Sequence, residues 1–322
     1  MQGSHEPKLL DRLRTELRAR HYSARTEKAY VLWVRRFIVF GGMTHPAELG
    51  EDEINAYVTH LAVHDHVSAS TQTQALSAIL FLYKHVLKRN VGEMPGLIRA
   101  RKAERLPVVM TGSEVRAVLA ELSDEQWLMA SLMYGAGLRL SECLRLRVQD
   151  IDFSANEILV RDGKGAKDRV TMLPSTLKGP LQSQLRKANA VHDRDLADGW
   201  GRVLLPESLE RKYPYAAVQW KWQWVFPQER RWRDPKTGVQ GRHHVHQTVL
   251  QRAVKTAVAR AGVQKNVGCH TLRHSFATQL LVSGYDIRTI QELLGHKDVR
   301  TTMVYTHVLN KGGRGVRSPL DD

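Results

Sequence analysis

The sequence predicts a mainly α-helical protein with a small antiparallel β-sheet, divided into two domains. The first 90 residues carry only helical patterns, in which apolar side chains recur every three to four positions. A stretch rich in Gly, Pro and Arg follows, which is typical of a linker. Farther along, two short strand-like runs flank a glycine-containing turn and indicate a β-hairpin. A chain of 322 residues is long enough for two domains, each with its own core.

Four helices are expected in the N-terminal domain, residues 8–90. Their expected positions are residues 8–20, a helix capped by Ser23, residues 51–63, and a helix that includes residues 76–87. Five basic side chains belong to the polar faces of the second and fourth helices, namely Arg25, Lys28, Arg35, Lys84 and Lys88. A basic face is often simply solvated, but its repetition on two helices favours contact with DNA phosphates.

A basic linker over residues 91–107 is expected to join this helical domain to a second domain over residues 108–315. The linker contains two glycines and two prolines, which disfavour a continuous helix. It also contains Arg101 and Lys102, which we expect to contact DNA phosphates.

The expected hairpin of the second domain has strands over residues 157–161 and 169–173. Its turn carries Lys164 and Lys167. A lysine at the tip of a hairpin is usually only solvated, so the residue types alone assign no chemistry to either of them.

The charge balance is strongly basic, with a net charge of +15 and an isoelectric point near 10.0. Such an excess indicates a polyanionic partner, most often nucleic acid. No apolar run approaches the ~18 residues that can span a bilayer, and the N-terminus lacks a signal-peptide core. We therefore expect a soluble, cytoplasmic protein that binds DNA and does not engage membranes. Cys143 and Cys269 are expected to be small core residues rather than a disulfide pair.

An arginine on an apolar helix face marks the most informative stretch, residues 270–307. In a helix that starts near His270, Arg273 is surrounded by apolar positions and is flanked by His270 and His274. A buried guanidinium needs an anionic or carbonyl partner, because an unpaired buried charge costs several kcal/mol or more. The first acid downstream is Asp286, beyond a Ser-Gly break, so a bound anion becomes a candidate partner.

A histidine and a tyrosine follow this helix. A second helix is expected from its N-cap Asp286 to Gly295, which leaves His296 just past the helix end. Tyr305 then lies in or next to a short third helix. A tyrosine hydroxyl can attack a phosphodiester while arginines and histidines neutralise the developing charge. Upstream, Arg139 comes two residues after a Gly-Ala-Gly turn, and two arginines can clamp one phosphate.

These motifs resemble those of the tyrosine recombinase family, and within it the integron integrases, over roughly residues 10–320. The motifs are GAGLRLSE, a lysine on a hairpin, HTLRH, LGH and TTMVYTH. They supply six matching residues, namely Arg139, Lys164, His270, Arg273, His296 and Tyr305. The resemblance implies a helical, SAM-like core-binding domain followed by a tyrosine recombinase catalytic domain.

The resemblance also implies a role for each of the six residues. Tyr305 attacks phosphorus and leaves a 3′-phosphotyrosine and a free 5′-hydroxyl, with His270 as the general base. Lys164 protonates the departing 5′-oxygen, and Lys167 is its nearest rival. His296 donates to a non-bridging oxygen, while the two arginines hold the phosphate. Neither a cofactor nor a metal is needed, because the protein–DNA ester conserves the bond energy.

Integron integrases insert and excise gene cassettes in the bacterial cytoplasm, where DNA binding would associate them with the nucleoid. The resemblance also implies that four protomers form a homotetramer around two DNA sites. These sites are folded single-stranded hairpins as well as duplexes.

Five of the seven tryptophans belong to residues 190–250, among many arginines and histidines. Trp220, Trp222 and Trp224 alternate with polar residues, so a strand would place three indoles on one face. Aromatic rings among basic groups are suited to stacking on unpaired bases. The alternative is that the tryptophans form core, and this interpretation is preferred for Trp220 and Trp224.

By resemblance, the same region holds the insertion of the integron integrases, at about residues 190–215. Residues 193–212 resemble its inserted helix. Trp222, His243 and His244 match residues that the family uses near bases flipped out of a folded hairpin site. The resemblance therefore implies that these three side chains bind DNA.

Three other functions are left open by the sequence. His270 and His274 have the spacing of zinc ligands, with Cys269 and His296 near them, but the glutamate of the H-E-x-x-H pattern is missing. A DNA-binding protein without catalysis would share the charge and the tryptophans. An Xer-like or phage-type recombinase would act on duplex sites only. His274 has no assigned role outside the zinc interpretation and is otherwise expected to be a satisfied core histidine.

Overall fold

The computed structural model describes residues 8–92, 106–161, 168–205, 207–235 and 237–306. Four of the candidate residues lie outside these ranges, namely Arg101, Lys102, Lys164 and Lys167. The chain divides into two compact units, Met1–Arg105 and Leu106–Asp322. The predicted fold class is confirmed, since helices predominate and both sheets are small and antiparallel. Within the described ranges, no helix is long and apolar enough to cross a membrane.

The described part of the N-terminal unit contains four α-helices and one π-helix. They are α1 Leu9–Ala19, α2 Ala24–Phe40, α3 Glu51–Val63, α4 Ala69–Phe81 and the π-helix Leu82–Leu87. Ser23 caps α2 as predicted, because its hydroxyl accepts the N–H of Thr26 at 3.1 Å. The predicted fourth helix is two elements: α4 passes into the π-helix, which ends where Lys88 adopts a left-handed backbone with φ of 54°.

The apolar faces of these helices form the core of the N-terminal unit. Trp33 and Phe37 of α2 are buried in one cluster with Ile79 of α4. The five candidate DNA-contacting residues of this unit are all exposed, namely Arg25, Lys28, Arg35, Lys84 and Lys88. Lys88 also lies 3.9 Å from the carboxylate of Glu16. The helical period thus separated the core face from the basic face correctly, and contact with DNA stays a prediction.

Nine α-helices lie within the described ranges of the C-terminal unit. They are α5 Gly112–Ala120, α6 Asp124–Gly135, α7 Leu140–Leu144, α8 Lys178–Ala197, α9 Glu207–Lys212, α10 Gln247–Arg260, α11 Cys269–Val282, α12 Ile287–Leu294 and α13 Arg300–Met303. The helix α11 packs against α5, α6, α10 and α12, so most of its side chains are buried. The stretch that carries HTLRH is therefore at the centre of this unit.

Two antiparallel sheets complete the C-terminal unit. The first has the strand order β1 Ile151–Asp152, β2 Glu157–Val160 and β3 Arg169–Met172. The second pairs β4 Pro227–Arg233 with β5 Gln240–His244. The predicted hairpin is thus present in β2 and β3. The hydroxyl of Thr171 in β3 donates to the carbonyl of Ala136 at 2.8 Å, which fixes the Gly-Ala-Gly turn against the first sheet.

Candidate active site

Five of the six predicted catalytic residues come together in the C-terminal unit. They are Arg139, His270, Arg273, His296 and Tyr305. Their elements bring them close, since Arg139 precedes α7, two of the others are on α11, and the last two follow α12 and α13. Arg273 approaches His296 at 3.4 Å, and the rings of His296 and Tyr305 stack with centroids 6.4 Å apart. Lys164 lies outside the described residues.

Arg273 is buried, with 3% of its surface exposed. Its guanidinium donates to the carbonyl oxygens of Gly137 and Leu294, and lies 3.6 Å from a carboxylate oxygen of Glu142. The partners that the local sequence lacks are therefore supplied by distant segments. Burial, and then the charge of Arg139, lower the pKa of Arg273 to about 9, so the side chain stays cationic at neutral pH.

Two glycines with left-handed backbone shape the surroundings of Arg273. Gly137 has φ of +64° and Gly295 has φ of +61°. A Cβ atom on Gly137 would lie 2.5 Å from the ring of Phe276, and one on Gly295 would lie 2.7 Å from the side chain of Arg169. A larger residue at either position would strain the backbone and force a packed neighbour to move. The glycine turn therefore sets the carbonyl of Gly137 in place for Arg273.

One carboxylate, that of Glu142, organises the arginines of the site. Arg169 donates to both of its oxygens, at 2.9 and 2.6 Å. Arg139 donates to Oε1 from its side chain at 2.5 Å and to Oε2 from its backbone N–H at 2.8 Å. Burial alone would raise the pKa of Glu142, but the hydrogen bonds and charges of Arg169 and Arg139 lower it to about 2. Glu142 is therefore ionised and orients the arginines.

We call Glu142 with Arg139, Arg169 and Arg273 the arginine cluster. Three guanidinium groups share one negative charge there, so the cluster has an excess of positive charge. The side chain of Arg139 is 19% exposed, against 8% for Arg169 and 4% for Arg273. The arrangement can hold an anion with charge-assisted hydrogen bonds, and a phosphate matches the fork of a guanidinium. No sequence pattern marks Arg169 as a member of the site, because an arginine that begins a strand is usually solvated.

His296 is half-buried, and both of its ring nitrogens have partners. Nδ1 lies 2.9 Å from the hydroxyl of Thr302, and Nε2 lies 3.4 Å from the guanidinium of Arg273. An arginine can only donate, so Nε2 accepts and a neutral ring carries its proton on Nδ1. Burial, and then the charge of Arg273, lower the pKa of His296 to about 4. To donate to an anion through Nε2, His296 must first leave Arg273 and gain a proton on that nitrogen.

Tyr305 is 2% exposed, in an apolar cluster that also includes side chains of α11 and α12. Its hydroxyl lies 2.8 Å from Nδ1 of His274. Burial raises the pKa of Tyr305, although the charges of Arg273 and Arg139 oppose this. Burial, and then the charges of His270 and Arg273, lower the pKa of His274 to about 4. The sequence left His274 without a role, and its spacing from His270 was the only signal.

His270 lies in the first turn of α11 and is exposed. Desolvation against the protein surface, and then the charges of Arg273 and Arg139, lower its pKa, which favours the neutral ring that a general base needs. Across the described ranges, His, Cys, Asp and Glu side chains nowhere gather in a group of three that could hold a metal ion. The zinc interpretation of His270 and His274 therefore has no third ligand in this part of the chain.

The segment with three alternating tryptophans is not a strand, so the alternation does not place its indoles on one strand face. It begins with one turn of 3₁₀-helix, Trp220–Trp222, and Trp224 then forms an isolated β-bridge with Arg147. Trp220 is half-buried and stacks on His192 with centroids 5.9 Å apart. Trp222 and Trp224 lie against the guanidinium of Arg147, at 5.7 and 3.8 Å. Arg147 also donates to the Trp222 carbonyl, so a side chain, rather than a neighbouring strand, satisfies this backbone group.

A cavity of about 740 Å³ extends from the arginine cluster to these aromatic rings. Its aromatic wall, as we call it, consists of Trp222, Trp224, His243 and His244. Trp224 is 5% exposed, as expected of a core residue, whereas the other three rings are half-buried. His243 stacks on Trp232 with centroids 5.1 Å apart, and His244 meets the edge of Trp224 at 5.2 Å. The three predicted base-contacting residues thus line the same cavity as Arg139.

The resemblance implied one inserted helix over residues 193–212, and the structure does not show it. Its first residues are the end of α8, a turn follows in which Gly199 has φ of +76°, and only the short α9 is a separate helix. The end of α8 is held by Asp195, which accepts hydrogen bonds from Arg231 of β4 at 2.8 Å and from Arg242 of β5 at 2.5 and 2.7 Å. These ion pairs connect the region to the second sheet.

Comparisons with known proteins agree with this fold. Residues 108–311 match the family model described as the phage integrase family, and residues 9–93 match the phage integrase N-terminal SAM-like domain. An Escherichia coli protein named integrase/recombinase is 54% identical over 314 residues, which cover 98% of this chain and 93% of that protein. The tyrosine recombinase XerD of Lacticaseibacillus casei is 30% identical over 280 residues, which cover 83% and 81%.

Among solved structures, a lambda integrase tetramer bound to a Holliday junction has a TM-score of 0.62. It is 14% identical and covers 97% of this chain and 78% of its own, so it supports the fold alone. Since the catalytic family model covers more than half of the sequence, the chain belongs to the phage integrase family. It is a tyrosine-type site-specific recombinase, an enzyme that cleaves and rejoins DNA.

Proposed function

We propose that this recombinase is an integron-type integrase, which inserts and excises gene cassettes at folded single-stranded hairpin sites and at duplex sites. The observation that carries the proposal is the cavity that joins Arg139 to Trp222, His243 and His244. A duplex keeps its bases stacked, whereas a folded hairpin can offer extrahelical bases. Flat rings beside phosphate-binding guanidinium groups suit both the base and the phosphate of such a nucleotide.

The proposed reaction begins when Oη of Tyr305 bonds to the scissile phosphorus and the P–O5′ bond breaks. The two catalytic arginines neutralise the charge that grows on the non-bridging oxygens. The family resemblance assigns the role of general base to His270, a contact with the phosphate to His296, and the protonation of the departing 5′-oxygen to Lys164. The product is a 3′-phosphotyrosine and a free 5′-hydroxyl, and attack by a 5′-hydroxyl reverses the step. The close packing of the arginine cluster, His296 and Tyr305 supports these roles.

The proposal includes four protomers around two DNA sites. Its support is at the level of the fold, from the lambda integrase tetramer on a Holliday junction. The exposed basic residues of the N-terminal unit would contact phosphates without regard to sequence, namely Arg25, Lys28, Arg35, Lys84 and Lys88. Arg101 and Lys102 of the linker and Lys167 of the hairpin would add further contacts of this kind.

An Xer-like recombinase that acts only on duplex sites is the second candidate. The 30% identity to a XerD protein favours it. Such an enzyme would use the same arginine cluster and Tyr305, but no flipped base would enter the cavity beside Arg139. The two candidates therefore differ in substrate form and agree in chemistry.

Covalent trapping tests both parts of the proposal. The protein is incubated in chelator with matched hairpin and nicked duplex sites, and denaturation-resistant protein–DNA adducts are measured. We expect the hairpin to give at least about tenfold more adduct, because stacking of one base contributes about 1–3 kcal/mol. Tyr305→Phe should bind DNA and give no adduct, because the ring remains but the attacking hydroxyl is gone.

The experiment distinguishes an integron-type recombinase from one that acts on duplex only, and it tests the identity of the nucleophile. An adduct with duplex only would retain the recombinase and contradict the integron subtype. An adduct formed by Tyr305→Phe would show that another residue is the nucleophile.

A further inference from the structure

The hydroxyl of Tyr305 contacts a histidine other than the proposed general base. Nδ1 of His274 lies 2.8 Å from Oη of Tyr305, with ring centroids 5.5 Å apart. His270 lies one turn earlier on α11, with its ring centroid 6.5 Å from that of His274. Because Tyr305 is 2% exposed and His274 is half-buried, packing holds these two side chains together.

The chemistry of this pair allows the hydroxyl proton to point at the histidine. A neutral imidazole has one donor and one acceptor nitrogen, and a tyrosine hydroxyl can donate. The pKa of His274 is lowered to about 4 by burial and by the charges of His270 and Arg273, so its ring is neutral near pH 7. When Nδ1 is the acceptor, Oη of Tyr305 donates a hydrogen bond to it, and the proton can pass from Oη to Nδ1 along this bond.

We propose that Nδ1 of His274 accepts the proton of Tyr305 during attack on DNA and returns it when the strand is rejoined. The inference rests on the proposal that Tyr305 is the nucleophile. During cleavage the Oη–P bond forms, the P–O5′ bond breaks, and the Oη proton moves to Nδ1. The departing 5′-oxygen takes its proton from a separate acid, the role proposed for Lys164. The general base is then His274 and not His270.

The charges around His274 make this transfer depend on bound DNA. Arg273 and His270 face it from α11, and both disfavour an imidazolium in the empty site. His296, which follows α12, also interacts with His274, because a charge on His274 lowers the pKa of His296. A phosphodiester held by the arginine cluster brings a negative charge that stabilises the imidazolium. Tyr305 therefore keeps its proton until a phosphate is in place.

The test compares His274→Asn and His274→Ala with the wild type in single-turnover cleavage between about pH 6 and about pH 9. Asn places a polar atom near the position of Nδ1 and can hold the hydroxyl, but it takes up no proton. We expect both variants to cleave about 100-fold more slowly than the wild type at neutral pH. Their rates should rise about tenfold per pH unit, because hydroxide must then deprotonate a tyrosine, while the wild-type rate stays flat.

A modified substrate, a control variant and checks of folding and binding separate proton acceptance from other causes. A substrate with sulfur in place of the bridging 5′-oxygen has a leaving group that needs no proton, so the defect should persist on it. Gln279→Ala, at an exposed position of α11, is the matched control and should cleave at the wild-type rate. Thermal unfolding and DNA affinity of every variant are measured alongside, to show that each is folded and binds its site.

A wild-type rate in His274→Asn would overturn the inference, since holding the hydroxyl would then be sufficient. A loss of the same size at every pH, or full recovery with the sulfur substrate, would overturn it too. Tyr305→Phe tests the nucleophile separately. If Tyr305→Phe forms no adduct while the His274 variants cleave normally, only the assignment of His274 fails.

Discussion

Arg139 and Glu142 of the arginine cluster line the same cavity as the aromatic wall, but the two regions satisfy their side chains in different ways. In the cluster, three guanidinium groups share the carboxylate of Glu142 and also donate hydrogen bonds to backbone carbonyls. In the wall, the rings are paired within the protein. The guanidinium of Arg147 lies against two indoles, His243 stacks on Trp232, and His244 meets Trp224.

This difference indicates what each region contributes. The cluster has an excess of positive charge that an incoming anion can offset, so its residues should control catalysis and stability. The rings of the wall already have contacts within the protein. A base that enters the cavity must compete with these contacts, so its stacking contributes less binding free energy. We therefore expect large effects from changes in the cluster and small, substrate-specific effects from changes in the wall.

Arg273→Lys tests the largest expected effect. A lysine keeps the charge but lacks the planar fork that reaches two carbonyls together and, in the proposed reaction, would also hold the phosphate. We expect covalent adduct formation to fall by about 10²–10³-fold on hairpin and duplex alike. Adduct yields over time, with DNA affinity measured in parallel, give the comparison. A loss confined to one substrate would show that the cluster also selects substrate form.

Glu142→Gln tests how far the cluster depends on its one carboxylate. The pKa of Glu142 is about 2 in the folded protein against an ordinary value of 4.5. Its stabilising effect is therefore present above about pH 4.5 and is lost as the pH falls toward about 2. This shift corresponds to on the order of 3 kcal/mol in the free energy of unfolding at neutral pH. Breaking a buried ion pair has a cost of similar size.

Denaturant unfolding of the wild type and Glu142→Gln at neutral pH and near pH 3 measures this effect. The difference between the two proteins should be largest at neutral pH and shrink at the lower pH. A difference that does not change with pH would mean that the shape of the side chain matters and its charge does not.

Trp222→Ala tests the smallest expected effect. Stacking of one base on an aromatic ring contributes about 1–3 kcal/mol, so hairpin binding should weaken about tenfold while duplex binding changes little. Trp220→Ala is the matched control, because this neighbouring indole stacks on His192 instead of lining the cavity. Titrations of both variants with both DNA forms supply the measurement. Equal losses for Trp222→Ala on hairpin and duplex would count against base stacking.

Local signals predicted much of the fold correctly. Asp286 caps α12 by accepting the N–H of Thr289 at 2.8 Å, and Gly295 ends it in a left-handed conformation. The predicted bounds of α3 match those in the structure. These features depend on residues within about four positions of one another, which the sequence shows directly. The motifs around Arg139, His270, Arg273, His296 and Tyr305 likewise identified residues that the fold brings together.

Features that depend on distant contacts were missed or predicted wrongly. The alternation of Trp220, Trp222 and Trp224 is a strand pattern, but Arg147 supplies a donor that a neighbouring strand would otherwise provide. Arg169 shows no local sign of its place against Glu142. No local pattern could reveal these contacts, because each joins segments far apart in the sequence.

Short-range patterns in the sequence account for the helices, their caps, the basic faces and the residue types of the site. The tertiary structure sets the partner of each buried group. It pairs Arg273 with the carbonyls of Gly137 and Leu294, and it sets the hydroxyl of Tyr305 against His274. The physical reason is that helix formation depends on near neighbours, whereas a buried charge or hydroxyl must find its partner wherever packing brings one within hydrogen-bond distance.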